Sequence, residues 1–387
     1  MKKVVVASDS FKGCLSSIQV ADAVECAVLQ AYPSCGVVKV DVADGGEGTM
    51  DALCRTLGGK TIFAEVSDPL GRPIQASYAI LEDGVTAVIE MAVASGLPLL
   101  SSEERNPLKT STYGTGQLIA DALDRGCRKF LIGIGGSATN DAGMGMLQAL
   151  GYRFIDAQGN ILYGRGEYLE KVVSVDGSSA NPALSEAEFI VACDVETPLY
   201  GPKGAAYVFA PQKGADTAMV ERLDKGLKHF SEVLQKSLNT IKGYSDTPGA
   251  GAAGGLGFGF MAFMNAHLAR GIDMVMDVIG FDEIIKDADL IITGEGKIDS
   301  QTLTGKTPFG VLQRAKHQGI PVVAICGSLH LTQDEAKAAG FTSVLQITPP
   351  GMPLEVAMLP KTASENIVRT LSVLCQDSIL HHLSTGF

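Results

Sequence analysis

The chain has 387 residues, of which 46% are hydrophobic and 19% charged, a balance typical of a folded enzyme with a sizeable core. Its formal net charge of −12 argues against nucleic acid or an anionic membrane surface as the main partner. No apolar run reaches the ~20 residues of a membrane span, and the eight cysteines include no C-x-x-C pair. We therefore expect a cytoplasmic protein with buried free thiols.

Short β-branched runs alternate with helix-like stretches along the chain, which is the pattern of parallel sheets flanked by helices. The predicted strands are Lys3–Ala7, Val37–Val42, Phe130–Ile134, Phe189–Cys193, Leu290–Thr293 and Pro321–Cys326. The predicted helices are Ser17–Ala31, Gly48–Leu57, Gly114–Arg125 and Gly310–His317. Between residues 61 and 87, alternating residues and turn signals predict antiparallel hairpin strands instead.

The first strands and those near residues 290–326 look like parts of one sheet with a long insertion between them. We therefore predict an α/β fold of two domains. A Rossmann-like parallel-sheet domain contains residues 1–60 and 285–387, and it is interrupted by an inserted second α/β domain of residues 61–284.

Each predicted strand ends at a polar or glycine-rich cluster. Ligands of open parallel sheets bind beyond the carboxyl ends of the strands, so clusters at six strand ends indicate a catalytic α/β protein. The six clusters begin at Ser8, Asp44, Gly133, Asp194, Gly294 and Gly327.

The most informative stretch is KFLIGIGGSATNDAG, residues 129–143. It predicts a buried strand, a glycine-rich turn and the start of a helix, where free N–H groups favour an anion. A phosphorylated ligand is the first hypothesis. The alternative is a tight turn that only packs a helix onto a sheet.

Three glycine patterns, the first of them within this stretch, admit other interpretations. Gly133–Ala138 fits G-x-G-x-x-A, and Asp156 follows about twenty residues later, as in an NAD-dependent dehydrogenase. Residues 300–307 miss the Walker A pattern because Ser300 replaces the first glycine. The run 248–259 could serve close helix packing, or it could be a second phosphate-facing or hinge loop.

Phosphoryl transfer needs metal-held phosphates, cationic groups and a carboxylate that accepts the hydroxyl proton. Asp44 and Glu47 could instead cap the helix that follows them. Lys203 and Lys213 lie between turn formers that would hold them in place. The candidate carboxylates are Asp9, Asp44, Glu47, Asp194, Glu295 and Asp299, and the candidate cations are Lys12, Arg72, Lys297 and Lys306.

Several long motifs resemble the type I glycerate kinases, among them SDSFKGCLSS (8–17), ADGGEGT (43–49), GIGGSATNDAGMGMLQALG (133–151), PQKGA (211–215) and ITGEGKIDSQTLTGK (292–306). The resemblance runs from the first strand to about Gly327. It implies ATP-dependent, Mg²⁺-assisted phosphorylation of D-glycerate, mostly to 2-phosphoglycerate in bacterial members, and a site in the cleft between two domains. One departure is Thr197, where the family often has asparagine.

With this resemblance we assign roles to the candidate residues. Asp194 is the expected general base or metal partner, with Asp44 as its rival, and the catalytic set is Asp194, Asp44 and Lys12. The expected substrate-binding residues are Ser8, Asp9, Arg72 and Lys297. The expected nucleotide-binding residues are Gly133, Gly135, Gly136, Ser137, Thr139 and Asn140, and the expected metal ligands are Glu295 and Asp299.

Two other functions stay open at this point. A dehydrogenase would leave the clusters at residues 44–49 and 294–299 without a role. A non-catalytic sugar-phosphate sensor would need a partner or nucleic-acid surface, which the acidic chain does not offer. We expect a small-molecule substrate and neither a nucleic-acid nor a membrane partner. The sequence leaves the oligomeric state open.

Overall fold

The computed structural model describes residues 1–237 and 243–376. Their strands are β1 (Lys3–Ser8), β2 (Gly36–Asp41), β3 (Gly59–Ser67), β4 (Pro73–Leu81), β5 (Thr86–Glu90), β6 (Lys129–Gly133), β7 (Arg153–Ile155), β8 (Ser174–Asp176), β9 (Glu188–Ala192), β10 (His267–Ala269), β11 (Leu290–Ile298), β12 (Val322–Leu329) and β13 (Ser343–Gln346).

The α-helices of the same residues are α1 (Ser17–Ala31), α2 (Thr49–Leu57), α3 (Ala92–Ser95), α4 (Tyr113–Asp124), α5 (Met144–Ala149), α6 (Ala205–Phe209), α7 (Thr217–Ser237), α8 (Ala252–Met264), α9 (Gly271–Ile279), α10 (Phe281–Ile284), α11 (Thr307–His317), α12 (Gln333–Ala339), α13 (Leu354–Ala357) and α14 (Pro360–Gln376). The chain is a mixed α/β protein with parallel strands, as the sequence predicted.

Residue contacts divide the chain into two compact units. The first contains Met1–Asp44 and the chain from Val275 onward, and the second contains Gly45–Met274. The predicted domain boundaries, after residues 60 and 284, both lie later in the chain. Helix α2 packs on β4 and β5, which accounts for its place in the second unit. The two-domain assignment itself stays a prediction.

The first unit contains a five-stranded sheet in the order β13-β12-β11-β1-β2, with every neighbouring pair parallel. Val4, Val5 and Val6 of β1 are fully buried, as expected for a strand covered on both faces. Helix α1 packs against α14 beside this sheet. The helix α1 begins after Ser16, which forms a capping box with Gln19.

Two strands of this sheet are longer than predicted. The prediction ended β11 at Thr293 and β12 at Cys326, with polar clusters after them. The strands instead continue side by side, with Glu295 opposite Cys326 and Lys297 opposite Ser328. Tertiary pairing therefore extends strand structure into glycine-containing segments of low β-propensity.

The second unit contains a six-stranded sheet in the order β10-β9-β6-β5-β4-β3. The strands β10, β9, β6 and β5 are parallel, whereas β4 and β3 are antiparallel to their neighbours. The predicted hairpin is present, because β3 and β4 pair from Gly59–Leu81 to Ser67–Pro73. Phe130 and Phe189 stack with ring centroids 4.6 Å apart in the core of this unit.

The glycine run of residues 248–259 allows close packing of the backbone. Gly254 has a φ of +69°, and a Cβ placed on it would lie 2.1 Å from the carbonyl oxygen of Thr139. A Cβ on Gly257 would lie 2.3 Å from the carbonyl oxygen of Gly249. These positions exclude larger side chains for steric reasons, which supports the packing hypothesis for this run.

None of the helices in residues 1–237 and 243–376 is both long enough and apolar enough to cross a membrane. Seven of the eight cysteines in these ranges are described as free thiols, and Cys35, Cys127 and Cys326 are buried as predicted. The prediction is wrong for Cys26, which is exposed on α1. Cys375 lies at the end of the described chain, and its side chain is not described.

Candidate functional site

The carboxyl ends of β1, β11 and β12 surround a cavity of about 480 Å³ in the first unit. The three strands are neighbours in the sheet, so the residues that follow or end them meet at one edge. We call the charged side of this cavity the charged wall. It consists of Asp9, Lys12, Asp44, Glu295, Lys297 and Lys306.

Asp9 is the most perturbed acid of the charged wall. Its Oδ1 accepts a hydrogen bond from the backbone N–H of Ser10 at 2.6 Å, and its own backbone N–H donates to the carbonyl oxygen of Gly294 at 2.9 Å. Burial and, to a smaller extent, the charge of Asp44 together raise the pKa of Asp9 to about 6, although Ser10 and Lys12 act in the opposite direction. A carboxylate with such a pKa is suited to accept a proton near neutral pH.

Ser8 supports the end of β1. Its side chain is 2% exposed, and its hydroxyl donates to the carbonyl oxygen of Gly294 at 3.0 Å. That bond ties β1 to β11 directly beside Asp9. The structure thus gives Ser8 a positioning role, while its predicted contact with substrate stays a prediction.

Glu295 and Lys306 form the second charged group of the cavity. Lys306 Nζ lies 3.6 Å from Glu295 Oε2, and the Thr302 hydroxyl donates to Glu295 Oε1. Burial raises the pKa of Glu295 above its ordinary value, although Thr302 and Lys306 oppose this effect. Lys306 directly precedes helix α11.

Asp299 and Lys297 neutralise each other. Lys297 Nζ lies 2.8 Å from Asp299 Oδ2, and Asp299 Oδ1 accepts the N–H of Gln301 at 2.9 Å. The hydrogen bond from Lys297 lowers the pKa of Asp299. Asp299, an expected metal ligand, is therefore paired with Lys297, an expected substrate-binding residue.

The carboxylates of the charged wall are candidate ligands for Mg²⁺. Within residues 1–237 and 243–376, no three His, Cys, Asp or Glu side chains come together as a metal site. Mg²⁺ in phosphoryl-transfer sites is usually bound by one or two carboxylates, with water and phosphate oxygens completing the shell. Asp44 and Glu295 border the same cavity, so they fit this mode of binding better than a cage made only of protein ligands.

Arg72, the predicted substrate-binding arginine, lies in the second unit. Its Nε binds Asp68 at 2.5 Å and its Nη1 binds Glu104 at 2.6 Å. Asp68 also accepts the backbone N–H groups of Leu70 and Arg72. These hydrogen bonds and ion pairs give Arg72 a structural role, because they stabilise the turn between β3 and β4. Its contact with substrate remains a prediction.

Asp194 follows β9 and is exposed. Its Oδ1 accepts the backbone N–H of Gly271 at 2.9 Å, at the first residue of α9. A carboxylate in this place stabilises the helix start. The structure therefore offers Asp194 a capping role, and its predicted catalytic role is untested.

The glycine turn after β6 differs from the prediction in one respect. Helix α5 begins only at Met144, so no helix follows the turn directly. Gly135 and Gly136 are exposed, but the side chains of Ser137, Thr139 and Asn140 are buried. A Cβ at Gly133 would lie 2.7 Å from the carbonyl oxygen of Gly45. The turn can thus offer a ligand its exposed glycine backbone more readily than these three side chains.

The buried side chain of Lys213 stabilises this turn through hydrogen bonds. It is 2% exposed, and its Nζ donates to the Ser137 hydroxyl at 2.6 Å and to the carbonyl oxygen of Thr139 at 2.7 Å. Burial lowers the pKa of Lys213 to about 7, against the opposing charge of Asp141. The hydroxyl of Thr139 and the side-chain amide of Asn140 are buried, and neither has a hydrogen-bond partner among the described residues.

Lys213 leads to a prediction about stability and pH. Because its pKa is about 7 when folded and near 10.5 when exposed, the unfolded chain binds more protons between those values. We expect the wild type to gain stability relative to Lys213→Met as pH rises from 7 to 10, by up to about 1.4 kcal/mol per pH unit. Melting temperatures at pH 7, 8, 9 and 10 would measure this.

The exposed Lys203 offers a matched control for that measurement. Lys203→Met should differ from the wild type by the same amount at every pH. A constant difference for Lys213→Met as well would contradict the buried, neutral amine.

The structure removes the basis of the dehydrogenase hypothesis. Asp156 lies in an exposed turn and accepts the backbone N–H groups of Gln158 and Asn160. The strand before it, β7, pairs with β8 in a separate two-stranded antiparallel sheet. A dinucleotide-binding acid would instead follow a strand of the parallel sheet.

Two features, one in each unit, escaped the sequence analysis. Helix α2 begins at Thr49, and its N–H at Met50 binds Glu90 Oε1 at 2.9 Å, so Glu90 caps this helix from the end of β5. The second feature is the apolar wall of the first unit's cavity, which carries no sequence motif. We define it as Ile347, Met352, Leu354, Ala357 and Met358.

Comparison with known proteins places the chain in a family. Residues 4–377 match the sequence profile of the glycerate kinase family. The chain is 46% identical over 368 residues to "Glycerate kinase" of Bacillus subtilis (strain 168), covering 95% of each protein. It is 48% identical over 327 residues to "Glycerate 2-kinase" of Escherichia coli (strain K12), covering 84% of this chain and 85% of the relative.

A solved structure agrees with these relatives. A crystal structure from Salmonella typhimurium LT2 that carries the name glycerate kinase 2 superimposes with a TM-score of 0.87. Its sequence is 44% identical, and the match covers 97% of both chains. The α/β fold and these matches define an enzyme of the kinase class. The chain belongs to the glycerate kinase family.

Proposed function

We propose that this enzyme transfers the γ-phosphoryl group of ATP to the 2-hydroxyl of D-glycerate, giving 2-phosphoglycerate and ADP. The relative named glycerate 2-kinase, at 48% identity, supports the choice of hydroxyl. The observation that carries the proposal is the charged wall, where a proton acceptor and two further carboxylates share a cavity with three lysines. Phosphoryl transfer requires this combination.

Asp9 is the proposed proton acceptor. The attacking hydroxyl oxygen forms a bond to phosphorus, the bond from phosphorus to the leaving ADP oxygen breaks, and the hydroxyl proton passes to the Asp9 carboxylate. A pKa of about 6 leaves Asp9 ionised at neutral pH, yet more basic than an ordinary aspartate. The roles expected from the sequence for Asp194 and Asp44 remain predictions. Replacing each of them with asparagine would test those roles.

The lysines of the charged wall provide the complementary charge. Lys12 is exposed, and we propose that it binds the glycerate carboxylate. Lys306 directly precedes α11 and borders the same cavity, and we propose that it binds the oxygens of the transferring phosphoryl group. The buried hydroxyl of Thr307, the first residue of α11, has no hydrogen-bond partner within residues 1–237 and 243–376, which favours a polar ligand there.

Asp44 and Glu295 are the residues that would hold Mg²⁺. Bound there, the ion would neutralise charge on the phosphate oxygens. Asp299 is a weaker candidate because Lys297 already pairs with it. Cytoplasmic location and the role of the glycine turn in binding phosphates stay predictions.

The decisive experiment measures ADP release from ATP and Mg²⁺, with and without D-glycerate, followed by phosphorus NMR of the product. We expect release that depends on D-glycerate and a phosphorus doublet, because one proton neighbours a phosphate on C2. A triplet would move the phosphate to C3. Release that D-glycerate does not stimulate would contradict the proposed substrate.

A further inference from the structure

We propose that the nucleoside of the phosphoryl donor binds against the apolar wall of the first unit's cavity, with its phosphates toward Lys306. The proposal deepens the proposed function and depends on a nucleotide as donor. It gives a binding role to residues 346–363, a segment that carries no recognisable motif.

The size of the cavity is the first argument. A three-carbon acid and one phosphoryl group fill only part of 480 Å³, whereas sites for drug-sized ligands measure about 300–1,000 Å³. The cavity therefore has room for a ligand much larger than glycerate.

The division of its lining is the second argument. Most of the charged wall lies at or just after the ends of β1 and β11, whereas the apolar lining comes from the end of β13, helix α13 and the residues between them. A ligand that matches both walls has a flat apolar part and an anionic part. A nucleotide has this chemistry, because its base is apolar on its faces and its phosphates are anionic.

The exposure of the apolar wall is the third argument. Leu354 is 71% exposed and Met358 is 38% exposed, although both are large apolar side chains that border a cavity. Exposed apolar clusters of this kind mark binding surfaces. Methionine adapts its shape to aromatic rings and makes favourable sulfur–aromatic contacts. Nearby Thr348 and Ser328 supply hydroxyl groups for the polar edge of a base.

Helix α13 contains a matched pair of positions for the test. Leu354 borders the cavity, whereas Val356, 42% exposed on the same helix, does not. We expect Leu354→Glu to raise the KM for ATP about tenfold or more, with the KM for D-glycerate unchanged. Val356→Glu should leave both KM values unchanged. Equal effects of the two variants, or no effect of either, would overturn the proposal.

Adenosine separates base recognition from charge repulsion, because it has no phosphates. It should compete with ATP in the wild type, and its inhibition constant should rise in Leu354→Glu but not in Val356→Glu. Unchanged inhibition by adenosine in Leu354→Glu would contradict binding at the apolar wall.

Photolabelling with 8-azido-ATP locates the base directly. We expect the label in the tryptic peptide of residues 338–361, which contains the apolar wall. A label in the peptide of residues 130–153, which contains the glycine turn, would overturn the proposal. Labelling needs no turnover, so it stays readable if D-glycerate is not the acceptor, and glycerate-dependent ADP release tests that point separately.

Discussion

Replacing Asp9 with asparagine is expected to lower kcat by a factor of about 10²–10⁴, the usual contribution of a general base. The same change should raise the free energy of unfolding at pH 7.5 by roughly 2–3 kcal/mol. The reason is that the fold holds Asp9 ionised although its pKa has risen from 3.8 to about 6, and each pKa unit is worth about 1.4 kcal/mol. Steady-state kinetics and calorimetry would measure the two effects.

The pH dependence of this stability gain has a definite sign. Above pH 6 the wild type bears the full cost of the charge, so the advantage of Asp9→Asn is complete there. As pH falls from 6 toward 3.8, the folded wild type takes up a proton and the advantage disappears. The wild-type kcat/KM should likewise fall about tenfold per pH unit below pH 6, because the acceptor of the free enzyme becomes protonated.

Two aspartates serve as comparisons for Asp9. Asp22 lies in the same unit, where it is exposed on α1 and paired with Lys39. Asp22→Asn should therefore change neither kcat nor the pH profile of kcat/KM. Asp194→Asn tests the rival base. Full turnover in Asp9→Asn, with turnover lost in Asp194→Asn, would transfer the role of proton acceptor to Asp194.

The second large effect is expected from Lys306→Met, which should lower kcat/KM for ATP by about 10²–10³-fold. The loss reflects one preorganised cationic donor removed from the transferring phosphoryl group. It also leaves the buried Glu295 without its ion-pair partner. The measurement is initial-rate kinetics with ATP as the varied substrate.

Helix α11 provides the control for this variant. Lys316 lies in the last turn of the same helix and donates to the carbonyl oxygen of Ala339, so Lys316→Met should retain normal kinetics. Lys306→Arg keeps the charge and should recover part of the activity. If Lys306→Met binds and uses ATP normally, Lys306 only neutralises Glu295.

Local patterns were sufficient to predict much of the secondary structure. Helix α1 has the predicted bounds Ser17–Ala31, and the hairpin of β3 and β4 follows from alternation and turn residues. These features depend on residues close together in the chain, which is why periodicity and capping chemistry identify them. Family membership also followed from the sequence, because its motifs are long and continuous.

Other properties depend on contacts between distant residues. The sequence showed only that Lys213 lies between turn formers, whereas packing leaves it 2% exposed and brings its amine to Ser137. The glycine turn resembled the start of a helix, but its polar side chains are buried and α5 begins later. Burial and hydrogen-bond partners arise from the whole fold, so no local pattern reports them.

The sequence by itself determined that this protein is an α/β kinase with polar clusters at its strand ends. Only the tertiary structure decided which clusters share a cavity, because the order of β12, β11 and β1 in the sheet does not follow their order in the chain. It also raised the pKa of Asp9 to about 6, since burial and a neighbouring charge exist only once the chain has folded.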